Sequence, residues 1–272
     1  DCDCLLFYCD FFSGCVNQKY DNQLQTALNL GNLYIQIVEL FNDVPAYNLI
    51  KSYNIDPKKV KGEYEPICHF FSESGTNSGF ILVRGTDHLG GEWSLDYHYG
   101  QSEFPYVKDK DIKISKGFLK AYNYFRDSLV SDVQKNPQMD HLYIVGHSLG
   151  AGIAALLAAD FAENFDKKLT VFTIAPPRAG NNSFVNYIEK NKNIVSYLSM
   201  INLSDIVPSL PPPLMYATST GETDEYAHVG KKLVFDKNYN SFTLNHATNL
   251  YIGVLADMLG YKDCGKYVAL MT

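Results

Sequence analysis

The sequence predicts an α/β protein with a central, mostly parallel sheet covered by helices on both faces. Apolar runs of strand length alternate with helix-length segments from about residue 67 to residue 259, the order produced by strands joined through helical crossovers. One run, His141 to Val145, leads into Gly146-His147-Ser148-Leu149-Gly150, and a proline-free stretch of small and apolar residues, Ala151 to Ala159, follows. Strand, Gly-x-Ser-x-Gly and helix in that order suit a strained turn that lifts a serine hydroxyl above a sheet. With 272 residues, 46% of them hydrophobic and 19% charged, the chain is long and apolar enough for a substantial core. No repeat, low-complexity tract or domain boundary interrupts it, so residues 1–272 read as a single domain.

In chain order, residues 1–20 read as an irregular lead-in holding four cysteines. Gln23 to Phe41 carries Leu24, Leu28, Tyr34, Ile35, Val38 and Leu40 at helical spacing, which predicts an amphipathic helix interrupted at Gly31. Residues 42–66, with three prolines and a lysine cluster, read as loop. Ile67–Phe71 and Gly79–Val83 read as a hairpin around Ser74-Gly75-Thr76-Asn77-Ser78, with His69 packed inside its first strand. Asp87–Asp96 holds the sole tryptophan and a Gly90-Gly91 pair that suits a hinge, so it is a candidate lid. Ile112–Ile114 is a short strand and Lys116–Val133 a helix ended by Asn136-Pro137. After the serine turn come a strand at Leu169–Ala175, a helix at Ser183–Lys190 and a strand at Ile194–Ile201. Leu210–Tyr216 reads as a rigid apolar loop and 217–226 as a polar one. Ala227–Phe235 reads as a strand with a structural His228, Tyr239–Asn245 as a loop, and Asn245 to about Leu259 as a helix.

Charge and cysteines bound the partners. A net charge of −7 disfavours nucleic acid or an anionic bilayer as a partner. No apolar run reaches the ~20 residues of a membrane span. A lipid or other ester substrate fits, and a monomer is expected. The six cysteines, Cys2, Cys4, Cys9, Cys15, Cys68 and Cys264, allow three disulfides in 15 pairings. At least one bridge from the N-terminal segment to Cys264 is expected, which places the protein in an oxidising compartment, secreted or vacuolar/lysosomal. The start at Asp1 suggests a processed or trimmed product. No metal site is expected: Cys2-x-Cys4 is a poor zinc pair, and no histidine lies near it. Asn181-Asn182-Ser183 and Asn202-Leu203-Ser204 match the glycosylation pattern, the second beside the core.

The candidate chemistry centres on Ser148 as nucleophile. Leu149, at the head of the following helix, offers its N–H to an oxyanion. A second donor comes from a loop at the end of another central strand, where Arg84-Gly85-Thr86 places Thr86. Asp205, just past the strand ending near Ile201, is the candidate acid, and His246, at a loop–helix junction farther on, the candidate base. His228, the other histidine after Asp205, falls within the expected strand Ala227–Phe235.

With these residues in hand, the chain resembles the class 3 lipases, the fungal-type triacylglycerol lipases, over roughly residues 65–260. The resemblance rests on Val83-Arg84-Gly85-Thr86, Trp93 with Asp96, Lys116-Gly117-Phe118, Gly146 through Gly152, Ala175-Pro176-Pro177-Arg178-Ala179-Gly180-Asn181 and Asp205-Ile206-Val207-Pro208. It implies an α/β-hydrolase-like fold, a Ser148–Asp205–His246 triad, an oxyanion hole at Thr86 and Leu149, a lid after Thr86, an N-terminal helix packed on the sheet, a disulfide joining the chain's two ends, and no cofactor. Ser115 stands where many members have a histidine, and the lid is short of large aliphatics. The expected activity is hydrolysis of lipid carboxylic esters, foremost triacylglycerols. Phospholipase A1 or feruloyl-type esterase activity on the same triad, or a non-catalytic binding module, are the alternatives.

Overall fold

The computed structural model describes residues 22–54, 66–85, 100–217 and 221–261. A seven-stranded sheet runs through it. Its strands are β1 (Tyr47–Tyr53), β2 (Cys68–Glu73), β3 (Ser78–Val83), β6 (His141–His147), β7 (Lys168–Ile174), β8 (Ile194–Asn202) and β11 (Lys231–Phe235), in that spatial order. From β3 to β11 the neighbours are parallel; β1 and β2 add an antiparallel edge. Parallel pairing needs both faces covered, and the central strands are accordingly buried almost throughout.

One face carries α2 (Lys116–Asn123), α3 (Arg126–Gln134), α4 (Leu149–Asn164) and α5 (Asn182–Lys190). The other carries α1 (Asn22–Tyr34), extended by a π-helical turn at Ile35–Glu39, and α7 (Thr248–Met258). A short α6 (Phe242–His246) precedes α7. In α4, fourteen of sixteen residues are buried, which is why it is built from Ala, Gly and Leu rather than from an amphipathic pattern. The one buried charge in it, Asp160, is answered by a bidentate Arg126 at 2.8 and 3.0 Å, by Tyr122 at 2.7 Å and by Asn164 at 2.7 Å.

Several boundaries differ from those expected. Gly31 does not interrupt α1. A Cβ there would meet Ile252 Cδ1 at 2.1 Å, so this glycine serves the close packing of α1 on α7. The segment read as loop between residues 42 and 66 contains β1, an edge strand whose burial is too patchy for a clear alternation. Lys116–Val133 is two helices. The break falls at Phe125 (φ −124°, ψ −9°), whose buried ring packs on Tyr122 at 5.6 Å and Tyr53 at 6.1 Å. Leu210–Tyr216 and the polar loop after it are not both loop: β9 (Leu214–Ala217) pairs with β10 (Glu222–Glu225). A further two-stranded pair joins β4 (Gln101–Glu103), which was not anticipated, to β5 (Lys113–Ser115). The last long helix is also divided, because Ala247 is extended (φ −66°, ψ 132°) between α6 and α7. β11 begins only at Lys231, which leaves His228 ahead of the strand.

Candidate active site

β6 delivers the chain into a turn at Ser148, where φ is 56° and ψ −129°, and α4 starts at the next residue. A non-glycine residue in this region costs about 1–3 kcal/mol and persists only where its surroundings over-determine it. Here they do. The Ser148 N–H donates to Ile174 O at the end of β7 (3.0 Å). A Cβ on Gly146 would lie 2.4 Å from Gly150 O, and one on Gly150 would lie 2.2 Å from Val83 O. Those two glycines let strand, turn and helix approach closely enough to hold the serine up. Gly85, at the end of β3, abuts the turn from the other side: its Cβ would sit 2.9 Å from Ser148 Cβ. As the first residue of α4, Leu149 has an N–H with no intrahelical partner.

Asp205 and His246 come together in the structure. Asp205 follows β8 and is buried; His246 ends α6 and is buried too. His246 Nδ1 lies 2.6 Å from Asp205 Oδ2. A carboxylate here only accepts, so Nδ1 carries a proton, and in the neutral ring Nε2 presents a lone pair. Nε2 is buried and has no hydrogen-bond partner. Asp205 Oδ1 accepts the Val207 N–H at 3.0 Å.

Residues that the sequence did not mark complete the arrangement. The Tyr251 hydroxyl donates to the same Asp205 Oδ2 at 2.7 Å and accepts the Asn202 N–H at 3.2 Å. Burial and the adjacent Asp205 push its pKa well up, so it stays a donor. Asn202 Nδ2 donates to Lys237 O and Asn245 O, and Asn245 Nδ2 donates to Ser204 O. These bonds lash the turn carrying the acid to the short helix carrying the base. Phe242 stacks on the His246 ring at 6.1 Å. His147, beside the serine, lies with its ring 4.7 Å from that of His246 and its Nε2 2.9 Å from His246 O. Burial and the neighbouring His246 lower the His147 pKa to about 3. Apart from the Phe242–His246 stack, which lies within α6, these contacts join segments remote in sequence, and no local pattern announces them.

The other expected sites divide three ways. Thr86, the candidate lid Asp87–Asp96, and Cys2, Cys4, Cys9, Cys15 and Cys264 lie outside the described residues. Cys68 is a free, fully buried thiol. His69 is a packed strand histidine as expected, bonded to Ser52 at 2.9 Å and lowered to about 4 by burial and by Arg84. Asn181 caps α5, accepting from Phe184 N and donating to Asp111 O, which occupies the amide a glycan needs. Asn202 is fully buried. Among the described residues no cluster of three or more His, Cys, Asp or Glu is placed to hold a metal. No helix among them is long and apolar enough to cross a membrane.

The model of the class 3 lipase family matches residues 80–215, half of the chain. A lipase of Rhizomucor miehei is 30% identical over 150 residues, 53% of this chain and 40% of that protein. A secreted mono- and diacylglycerol lipase of Malassezia globosa is 33% identical over 107 residues, covering 38% and 35%. The chain thus spans less than half the length of these relatives. Among solved structures, a lipase from Rhizopus microsporus var. chinensis superposes with a TM-score of 0.61 at 21% identity, over 79% of this chain and 75% of that one. A triacylglycerol lipase whose catalytic centre is formed by a serine protease triad gives 0.57 at 22% identity, over 80% and 88%. At such identities the likeness concerns the fold, which is that of the α/β-hydrolases. With the family match spanning the elbow and Asp205, the chain belongs to the class 3 lipase family.

Proposed function

We propose that this protein is a serine hydrolase of lipid carboxylic esters, acting through Ser148, His246 and Asp205. The observation that carries the reading is the buried His246–Asp205 pair, with His246 Nε2 unpartnered, just past the end of β8 in a sheet where β6, with β7 between them, ends in the Ser148 turn. In this mechanism His246 Nε2 takes the Ser148 proton as Oγ attacks the ester carbonyl. Asp205 fixes the tautomer and stabilises the imidazolium. The Leu149 N–H and Thr86 receive the tetrahedral oxyanion, each donor worth about 3 kcal/mol in the transition state. The imidazolium then protonates the leaving alkoxide, and water repeats the sequence to release the acid.

The surroundings favour an apolar acyl substrate. Leu203 and Ile206, on either side of Asp205, are 68% and 51% exposed, and Phe242, stacked on His246, is 44% exposed. An apolar rim with a net charge of −7 suits a neutral acylglycerol better than an anionic lipid. In this reading the whole chain is one domain, acts as a monomer and is exported like its secreted relatives. Hydrolysis of p-nitrophenyl esters from acetate to palmitate tests the substrate. Turnover of long chains is expected; activity confined to acetate and butyrate would move the function to a short-chain esterase on the same triad.

A further inference from the structure

We propose that His147 is a positioning residue, whose Nε2–H holds the main chain of His246 in place beside the nucleophile. The inference rests on reading His246 as the base. α6 has only five residues, and His246 is its last. The extended Ala247 that follows prevents a helical partner for the His246 carbonyl. That carbonyl is met instead by His147 Nε2 at 2.9 Å, from a residue 99 positions earlier. A carbonyl only accepts, so Nε2 must carry the proton and Nδ1 must be bare.

His147 is well placed for this. It is the last residue of β6, paired with Ile174 of β7, so the sheet fixes its main chain. The edge of Tyr34 packs 6.4 Å from its ring, and a Cβ on Gly85 would fall 3.4 Å from its Nδ1. A rigid strand end, one residue before Ser148, therefore carries the donor that fixes where the base sits. The ring is also neutral at working pH, so it adds no positive charge beside the imidazolium that forms on His246 during acyl transfer.

Two substitutions separate the donor from the ring. His147→Gln keeps an N–H near the Nε2 position, and His147→Phe keeps the packing but not the donor. On p-nitrophenyl butyrate, His147→Phe should lower kcat about 10- to 100-fold with KM within about twofold, and His147→Gln should recover to within about threefold of the parent. The acid limb of kcat/KM should move to lower pH in His147→Phe, because a looser pairing with Asp205 stabilises the His246 imidazolium less. Equal losses in both variants with an unmoved limb, or wild-type kcat in His147→Phe, overturn the proposal. ¹⁵N–¹H spectra of the histidine rings decide it without turnover. The parent protein must show a slowly exchanging His147 Nε2–H, and an Nδ1–H tautomer overturns the proposal whatever the variants do. Ester hydrolysis that survives Ser148→Ala would instead fault the reading of the site, and leave the ring spectra to judge His147 independently.

Discussion

At the scale of single residues, the site is a set of bonds converging on Asp205. Its Oδ2 takes two donors, His246 at 2.6 Å and Tyr251 at 2.7 Å, while Oδ1 takes the Val207 N–H. Tyr251→Phe removes one donor and leaves Asn202 N–H without its acceptor. The expected result is a loss of about 1–3 kcal/mol in urea unfolding, with ester hydrolysis reduced several-fold rather than abolished. A fall in activity as deep as that of Ser148→Ala would give Tyr251 a larger part than positioning. The contrast between these residues shows what a sequence can carry. Ser148 sits inside a local motif, and Asp205 and His246 lie where a strand end and a helix start leave them, so all three are legible from neighbours along the chain. Tyr251 is a tyrosine in an apolar helix until the fold places Asp205 against its hydroxyl. Asn202, Asn245 and His147 are hidden for the same reason.

Among the elements, the long, strongly patterned ones were legible and the short ones were not. β3, β6, β7 and α4 follow from continuous apolar runs, because a strand or helix buried on all sides needs no alternation. β1 alternates poorly because it lies at the sheet edge, half in solvent. β4, β9 and β10 are three or four residues long, too short for any period. The breaks at Phe125 and Ala247 answer to tertiary packing rather than to proline or glycine. Gly31 is the opposite case, a helix glycine that signals close approach and not an end. Gly31→Val must push Ile252 aside or part α1 from α7. It should cost about 1–3 kcal/mol in chemical denaturation. A neutral or stabilising effect would show that the two helices do not meet as described.

On the scale of the whole molecule, two features set stability. The first is the buried Arg126–Asp160 pair that joins α3 to α4. Arg126→Met leaves Asp160 uncompensated among Tyr122 and Asn164, and about 3–5 kcal/mol should be lost on denaturation; a loss under 1 kcal/mol would mean that Asp160 reaches water. The second is pH. His69, His147 and His228 are held, chiefly by burial, at about 4, about 3 and about 4. Below their ordinary value of 6.5 the unfolded chain takes up these protons and the folded chain does not. The unfolded state therefore binds more protons, and stability rises with pH across the window from about 4 to 6.5. Asp132 adds to the acid side. Hydrogen bonds from Lys135, Tyr53 and Lys51 outweigh its burial and lower its pKa, so its contribution is lost as pH falls through the folded value. The melting temperature should drop steadily between pH 7 and pH 4.5, and a flat or rising profile would contradict the buried, neutral histidines.

The central claim is that Ser148 is the nucleophile of an acyl transfer. Its most direct test is labelling of the folded protein with a fluorophosphonate, located by peptide mass spectrometry, with Ser148→Ala beside it and p-nitrophenyl ester hydrolysis followed in both. The account predicts one adduct, on Ser148, and hydrolysis that vanishes with the substitution. Folded parent protein that takes no label and hydrolyses no ester, or a substituted protein that keeps its activity, would contradict it.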